Sequence, residues 1–418
     1  MHLPTRLPRR KQIAVFVVMP ILLLAGMVFS LAGCQLTAQG TDQLPQLLIV
    51  LEDPAAWAWP EAIVVHPDGL AYIALDTGEL VVLDGPTYVA TIQRPDLPPK
   101  PGRINSHLAV HPQTELLYWA DHTGYVHVIS GTKIITSIVG VEHLPNAITI
   151  HPETGLVYVA NAKRRGWPEN QTLPSNVTVI SGTHIITDLI VGYVPSEIAV
   201  NPVDKRIYVA QNTGWSYRGQ EVVGMLGIID DLNVITNTSF NIGEETDLIG
   251  DIAVNPQNGD MYLEWRGKIL YWDRKHQPIE ISIKYGNGWT RDIKVNPRNG
   301  LVYASHIGTD HTGVGIIRGS EVVTNITIPG EPREIAVDEK HDYVYVANYK
   351  RGELTVIRDT TVITTLSTGG WGSWALAVDE ERGYIYVSNA DSHSIAVFGF
   401  EEADKPTFRQ RYFPFIQR

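Results

Sequence analysis

Four acidic residues, Glu197, Asp251, Asp292 and Glu334, each stand immediately before an isoleucine in a short apolar run, and His107 stands before Leu108 in a fifth such run. Carboxylates gathered in one place repel one another and hold their protons tightly unless a cation lies among them. If the five positions are structurally equivalent, they form an arc of hard oxygen ligands for a divalent cation such as Ca or Mg, or for a cationic ligand, with His107 opposite. The competing reading is that Arg291 and Arg333, which adjoin two of the acids, neutralise them as ordinary ion pairs. Tryptophans collect near the same runs: Trp57, Trp59, Trp289, Trp371 and Trp374. Aromatic faces beside carboxylates suit a sugar or an ammonium group, and they equally suit packing between sheets.

A second group of residues has the chemistry of an interaction surface. The segments KRRGWPENQTLPS (Lys163 to Ser175) and NTGWSYRGQ (Asn212 to Gln220) offer Arg164, Arg165, Trp167, Trp215, Tyr217 and Arg218 on an otherwise acidic chain. Arg and aromatic residues are what binding hot spots favour, although long surface insertions are also tolerated without function. The histidines point elsewhere. His66, His111 and His151 each precede a proline at a position that Asn201, Asn255 and Asn296 fill in similar segments, so turn geometry accounts for them better than ligation. No HExxH, GxSxG, phosphate-binding loop, EF-hand loop or haem-attachment motif occurs.

The elements that must position these residues are read from a repeat with a period near 40 residues. Its starts include NAITIHPETGLVYVAN at Asn146, SEIAVNPVDKRIYVAQ at Ser196, RDIKVNPRNGLVYASH at Arg291 and REIAVDEKHDYVYVAN at Arg333, with others at Glu61, Ser106, Gly250 and Trp374. Within a unit, alternating apolar residues are broken by Pro/Gly turns, and two more β-rich runs follow, as in NVTVI and HIITDLI, giving four strands. A lone four-stranded meander exposes both apolar faces, whereas stacking the sheets around a ring buries them. The expected fold is therefore an all-β propeller over residues 46–400, with eight blades and seven as the alternative. Residues 46 to 52 (QLLIVLE) look like a fourth strand without its blade, and the last unit stops after SIAVFGF, so the two fragments should complete one sheet and close the ring. The acids then fall at one height on the innermost strands of four consecutive blades.

The units, especially VYVAN at Val157, YVYVAN at Tyr343 and YIYVSN at Tyr384, resemble the YVTN-type β-propeller repeat family, which is related to NHL and lactonase-like propellers. The resemblance implies the fold firmly and the role weakly. The family usually carries a small residue where this chain has its carboxylates, so the arc is a departure. The N-terminus also carries a resemblance. After four basic residues comes an uncharged apolar stretch, Ile13 to Ala32, ending in Leu31-Ala32-Gly33-Cys34, which is similar to the lipobox of bacterial lipoproteins. That implies a signal peptide over residues 1–33, an acylated Cys34 as the lipid anchor, and a polar tether over 34–45. An uncleaved membrane-spanning anchor is the alternative. Cys34 is the sole cysteine, so an intramolecular disulfide is impossible. The ending ADKPTFRQRYFPFIQR, within residues 401–418, departs from the repeat and reads as an exposed tail.

Charge narrows the partners. The net charge is −12, and setting aside the four basic residues of the signal leaves −16, which repels phosphate backbones and argues against nucleic acid. The expected role is a membrane-anchored binding module outside the cytoplasm, facing an envelope protein or glycan. Two alternatives are a structural part of an envelope assembly and a cation-dependent lactonase-like or lyase-like enzyme.

Overall fold

Residues of the second strand in each repeat point alternately to two different neighbours, and this alternation builds the molecule. In the first repeat Ala71 and Ile73 pack toward the preceding sheet beside Tyr386 and Val397, while Tyr72 and Ala74 pack toward the following one beside Leu117 and Trp119. The computed structural model describes residues 43–52, 58–94, 106–121, 123–141, 144–162, 175–192, 194–212, 224–240, 249–265, 267–283, 288–309, 311–400 and 411–412. Those residues form eight sheets, seven of them antiparallel with their four strands in chain order and the eighth completed from the start of the chain, and eight apolar layers lie between successive sheets. The compact unit runs from Gln43 to Arg418. Fully burying one Val, Leu or Ile is worth about 1.5–3 kcal/mol, so the blades cohere chiefly through these layers.

The first strands of the eight blades are Pro60–Val65, Ser106–Val110, Leu144–Ile150, Val194–Asn201, Ile249–Val254, Gly288–Val295, Pro332–Asp338 and Ser373–Asp379. Each touches the first strands on either side in an unbroken cycle, so they line the central channel of an eight-bladed propeller. Closure is as expected. Strand Gln46–Glu52 pairs antiparallel with Ser394–Gly399, from Gln46 opposite Gly399 to Glu52 opposite Ser394, and supplies the outer strand of blade eight. One feature was not expected: Arg411–Tyr412 pairs parallel with Leu51 and Glu52, adding a fifth strand to that sheet.

The repeated Tyr and Asn have specific work between blades. Tyr72, Tyr118, Tyr158 and Tyr303 donate their hydroxyls to the carbonyls of Gly131, Gly182, Asp231 and Asp359, each in the outer hairpin turn of the next blade, all at 2.9 Å. Asn348 donates to the carbonyl of Pro329 at 2.7 Å and accepts from the backbone of Glu331 at 3.1 Å, which fixes the connection leading into an inner strand. The turn histidines likewise behave as turn residues. In His111, Nδ1 accepts from the backbone of Gln113 at 3.2 Å and Nε2 donates to the carbonyl of Gly155 in the next blade at 3.1 Å, a tautomer assigned from its partners. Asn201 does the same with Val203 at 3.0 Å and Gly259 at 2.9 Å.

Candidate functional site

The inner strands of blades two to eight, except the sixth, carry Ala or Thr two residues after the carboxylate position, at Ala109, Thr149, Ala199, Ala253, Ala336 and Ala377; blade one has Val64. Blade six has Lys294. Residues two apart on a strand face the same side, so Lys294 stands beside Asp292 on the channel wall. Its Nζ lies 2.5 Å from Asp292 Oδ1. The cavity here has a volume of about 560 Å³ and is walled by blades four to eight, including Glu197, Asp251, Asp292, Lys294 and Glu334. The four carboxylates therefore do converge. The neutralising cation, however, is Lys294 and not the arginines that adjoin the acids in sequence: Arg333 pairs instead with Glu331 at 3.0 Å. His107 stands on blade two, across the ring, and does not line the cavity.

Each of the four inner strands that carry a carboxylate shifts register beside it, between Pro195 and Glu197, Ile249 and Ile252, Thr290 and Asp292, or Pro332 and Ile335. Such a bulge takes a backbone N–H out of the ladder and leaves it in need of an acceptor. The carboxylates provide it, mostly across the blade boundary. Ile293 donates to Asp251 at 2.6 Å, Ile335 to Asp292 at 2.6 Å and Leu376 to Glu334 at 3.2 Å. Ile198 and Ile252 donate to the acid just before them, Glu197 at 3.0 Å and Asp251 at 2.8 Å. The arc thus stitches one inner strand to the next, a structural duty that either sequence reading leaves out.

Four carboxyls against one ammonium leave an excess of acid in a confined space. Burial, reinforced by Asp251, raises the Glu197 carboxyl to about 8. Burial and the Asp292 charge raise Glu334 to about 8. Asp251 rises to about 7, chiefly through burial, with Lys294 opposing the shift. For Lys294 burial favours the neutral amine, but Asp292, Asp251 and Glu334 together outweigh it and hold the ammonium charged. Its side chain is 43 % exposed, but it lines the cavity among three of the carboxyls that hold its charge, and the electrostatic environment is that of an interior. Behind the wall Glu264 accepts from the backbone of Gly267 at 2.9 Å and rises to about 7 by burial.

Above the carboxylates the lining changes character. Arg291, Arg333, Thr290 and Trp374 complete the wall. Arg333 rests over both Trp374 and Tyr349, its guanidinium carbon 4.5 and 4.9 Å from the two ring centres. Arg291 rests over Trp289 at 5.7 Å. Of the other tryptophans singled out above, Trp59 and Trp371 are not part of this wall, and Trp57 lies outside the described residues. So do Cys34 and the loop residues Arg164, Arg165, Trp167, Trp215, Tyr217 and Arg218. The strands that lead into those two loops, Val157–Ala162 and Arg206–Asn212, end opposite the starts of their inner strands, Leu144 and Val194, on the face where the arc begins.

One constellation imitates a catalytic triad. His127 Nδ1 lies 2.8 Å from Ser137 Oγ, and Nε2 lies 3.4 Å from Asp121 Oδ2. Asp121 is also held by Arg94 at 2.9 Å; burial raises its pKa, and bonds from His127 and Thr123 with the Arg94 charge reverse that to a net lowering. The next blade repeats the same cross-strand ladder with Asn161, Thr178 and Asp188, linked at 2.9 and 2.5 Å, and does so without a histidine. The arrangement is a way of satisfying buried polar groups between the outer three strands. Among the described residues no group of three or more His, Cys, Asp or Glu is disposed to hold one metal ion.

No protein-family model matches this chain, and no curated protein matches it in sequence. Among solved structures it is similar to the Kuenenia stuttgartiensis hydrazine synthase, with a TM-score of 0.53 and 16% identity, over 86% of this chain and 98% of that one. At that identity the likeness is one of fold, and it agrees with the β-propeller architecture.

Proposed function

We propose that this chain is an exported, lipid-anchored β-propeller of the YVTN-like kind that works as a binding module at the cell envelope, taking its ligand at the channel mouth over blades four to eight. The observation that carries this reading is the mouth cavity itself: a volume of about 560 Å³ with charged and aromatic side chains from five consecutive blades converging on it. Cavities of this size, on a rigid scaffold and with a few convergent polar groups, are where small ligands bind. The basic-aromatic loops after Ala162 and Asn212 give a second contact surface for an envelope protein or glycan. The lipid reading rests on Cys34, the sole cysteine, placed at the end of an uncharged apolar stretch.

The test is fractionation of a bacterial host producing the full chain. The wild type should label with a radioactive fatty acid and sediment with membranes, and Cys34→Ser should lose the label. Membrane retention of an unlabelled, full-length wild type would replace the lipid with a spanning anchor. A cation-dependent enzyme is the second reading, favoured by the excess of carboxyls over Lys294. It requires a thermal shift on adding calcium or magnesium that Asp251→Asn abolishes.

A further inference from the structure

The mouth cavity presents two regions of opposite character to the same space. On the rim, Arg291 makes no hydrogen bond or ion pair with any described residue. Burial, and then repulsion from Arg333, hold its pKa below the usual arginine range. Arg333 spends one hydrogen bond on Glu331, at 3.0 Å, and its Nε is buried with no acceptor among the described residues. Two guanidinium groups that line one cavity with donors to spare are short of an anion, and a carboxylate is the planar acceptor that guanidinium groups grip best. The floor has the reverse deficit. Glu197, Asp251, Asp292 and Glu334 share the single ammonium of Lys294, so a second cation would relieve their repulsion. Neither region alone identifies a ligand, since a simple anion would face the acids and a simple cation would face the arginines.

We propose that the cavity binds a small amino-carboxylate zwitterion, an amino acid or a di- or tripeptide, with its carboxylate on Arg291 and Arg333, its ammonium on the carboxyl floor and Trp374 along its side. This names the ligand class for the binding role proposed above and rests on that role. It has a signature that a neutral or purely anionic ligand lacks. Because Glu197 and Glu334 hold protons up to about pH 8 and Asp251 up to about 7, an arriving ammonium expels protons from the floor.

The experiment is isothermal titration of the detergent-solubilised full chain at pH 7 with alanyl-alanine, N-acetyl-alanyl-alanine and alanyl-alanine amide, each in two buffers of different ionisation enthalpy. Alanyl-alanine should bind one to one and release protons, and each blocked form should bind at least tenfold more weakly. Arg291→Ala, an exposed position that leaves the blades intact, should also weaken binding at least tenfold, and Glu334→Gln should reduce the proton release. Equal binding of the blocked peptides, indifference to Arg291→Ala, or no binding of alanyl-alanine would overturn the proposal. If alanyl-alanine fails while glucuronate or calcium binds and responds to the same substitutions, the binding module stands and only the zwitterion falls. If none of the probes binds and substitution of Arg164, Arg165 and Trp215 changes no partner capture, both readings fall.

Discussion

Burial of the channel carboxyls, only partly offset by the charge of Lys294, sets the way the protein responds to pH. Glu197 and Glu334 titrate near 8 and Asp251 and Glu264 near 7, against roughly 4 for carboxyls in an unfolded chain. The folded state therefore binds more protons than the unfolded state across that interval, and stability from these groups is present below about pH 4 and lost as the pH rises through 7 and 8. Asp121 and Glu331 have lowered pKa values, so their contribution is lost on the acid side. The Lys294 shift acts above pH 10 and leaves this window alone. The apparent melting temperature should peak near pH 5 and fall by several degrees toward pH 8.5, and the double variant Glu197→Gln, Glu334→Gln should flatten that fall; a profile that rises toward pH 8.5 contradicts the assignment. Lys294 was legible in retrospect, as the one charged residue where the other inner strands have Ala, Thr or Val. The bonds from the carboxylates to Ile293, Ile335 and Leu376 were not, because a repeat shows which positions are equivalent and not which backbone groups a bulge sets free.

At the scale of the element, the first hairpin turn illustrates how two side chains serve one purpose. His111 and Asn201 each cap their own turn and reach the carbonyl of the next blade's turn. His111→Asn should therefore cost little, within about 0.5 kcal/mol, whereas His111→Ala leaves Gln113 and Gly155 without their partner and should cost roughly 1–3 kcal/mol. Urea unfolding of the two variants separates the cases, and equal losses would refute the shared role. This equivalence was visible in sequence, since His and Asn alternate at one position before a proline. The repeated tyrosine was visible only as an apolar strand residue. Its bond to the next blade's outer turn depends on how far one sheet is rotated from its neighbour, which no single strand encodes.

At the scale of the molecule, the eight blades and the closing strand followed from the repeat because the chain offered one unpaired strand at its start and one missing strand at its end. Deleting residues 43–52 should destroy cooperative unfolding, since blade eight would lose Ile49 and Leu51 from the layer shared with blade one. A chain beginning at Gln43 should unfold as the full chain does. Circular dichroism during chemical denaturation distinguishes the two, and a cooperative transition in the shorter chain would show that the ring closes without its seal. The added strand at Arg411–Tyr412 escaped the sequence because two residues carry too little periodicity to read.

The shared sheet also has a directional consequence. Blade eight is where the chain both joins and leaves the ring, with Gln46 opposite Gly399, and it is also the blade that contributes Trp374 to the mouth cavity. Seven other blades offer the same three-plus-one division at their outer hairpins, for instance between Ser181 and His184. A permuted chain opened there, with its old ends spliced, would keep every layer and every side chain of the cavity while moving the seam to blade three. The location of the seam is therefore a compass setting: it governs from which blade the two ends of the chain leave the ring, independently of what the rim can hold.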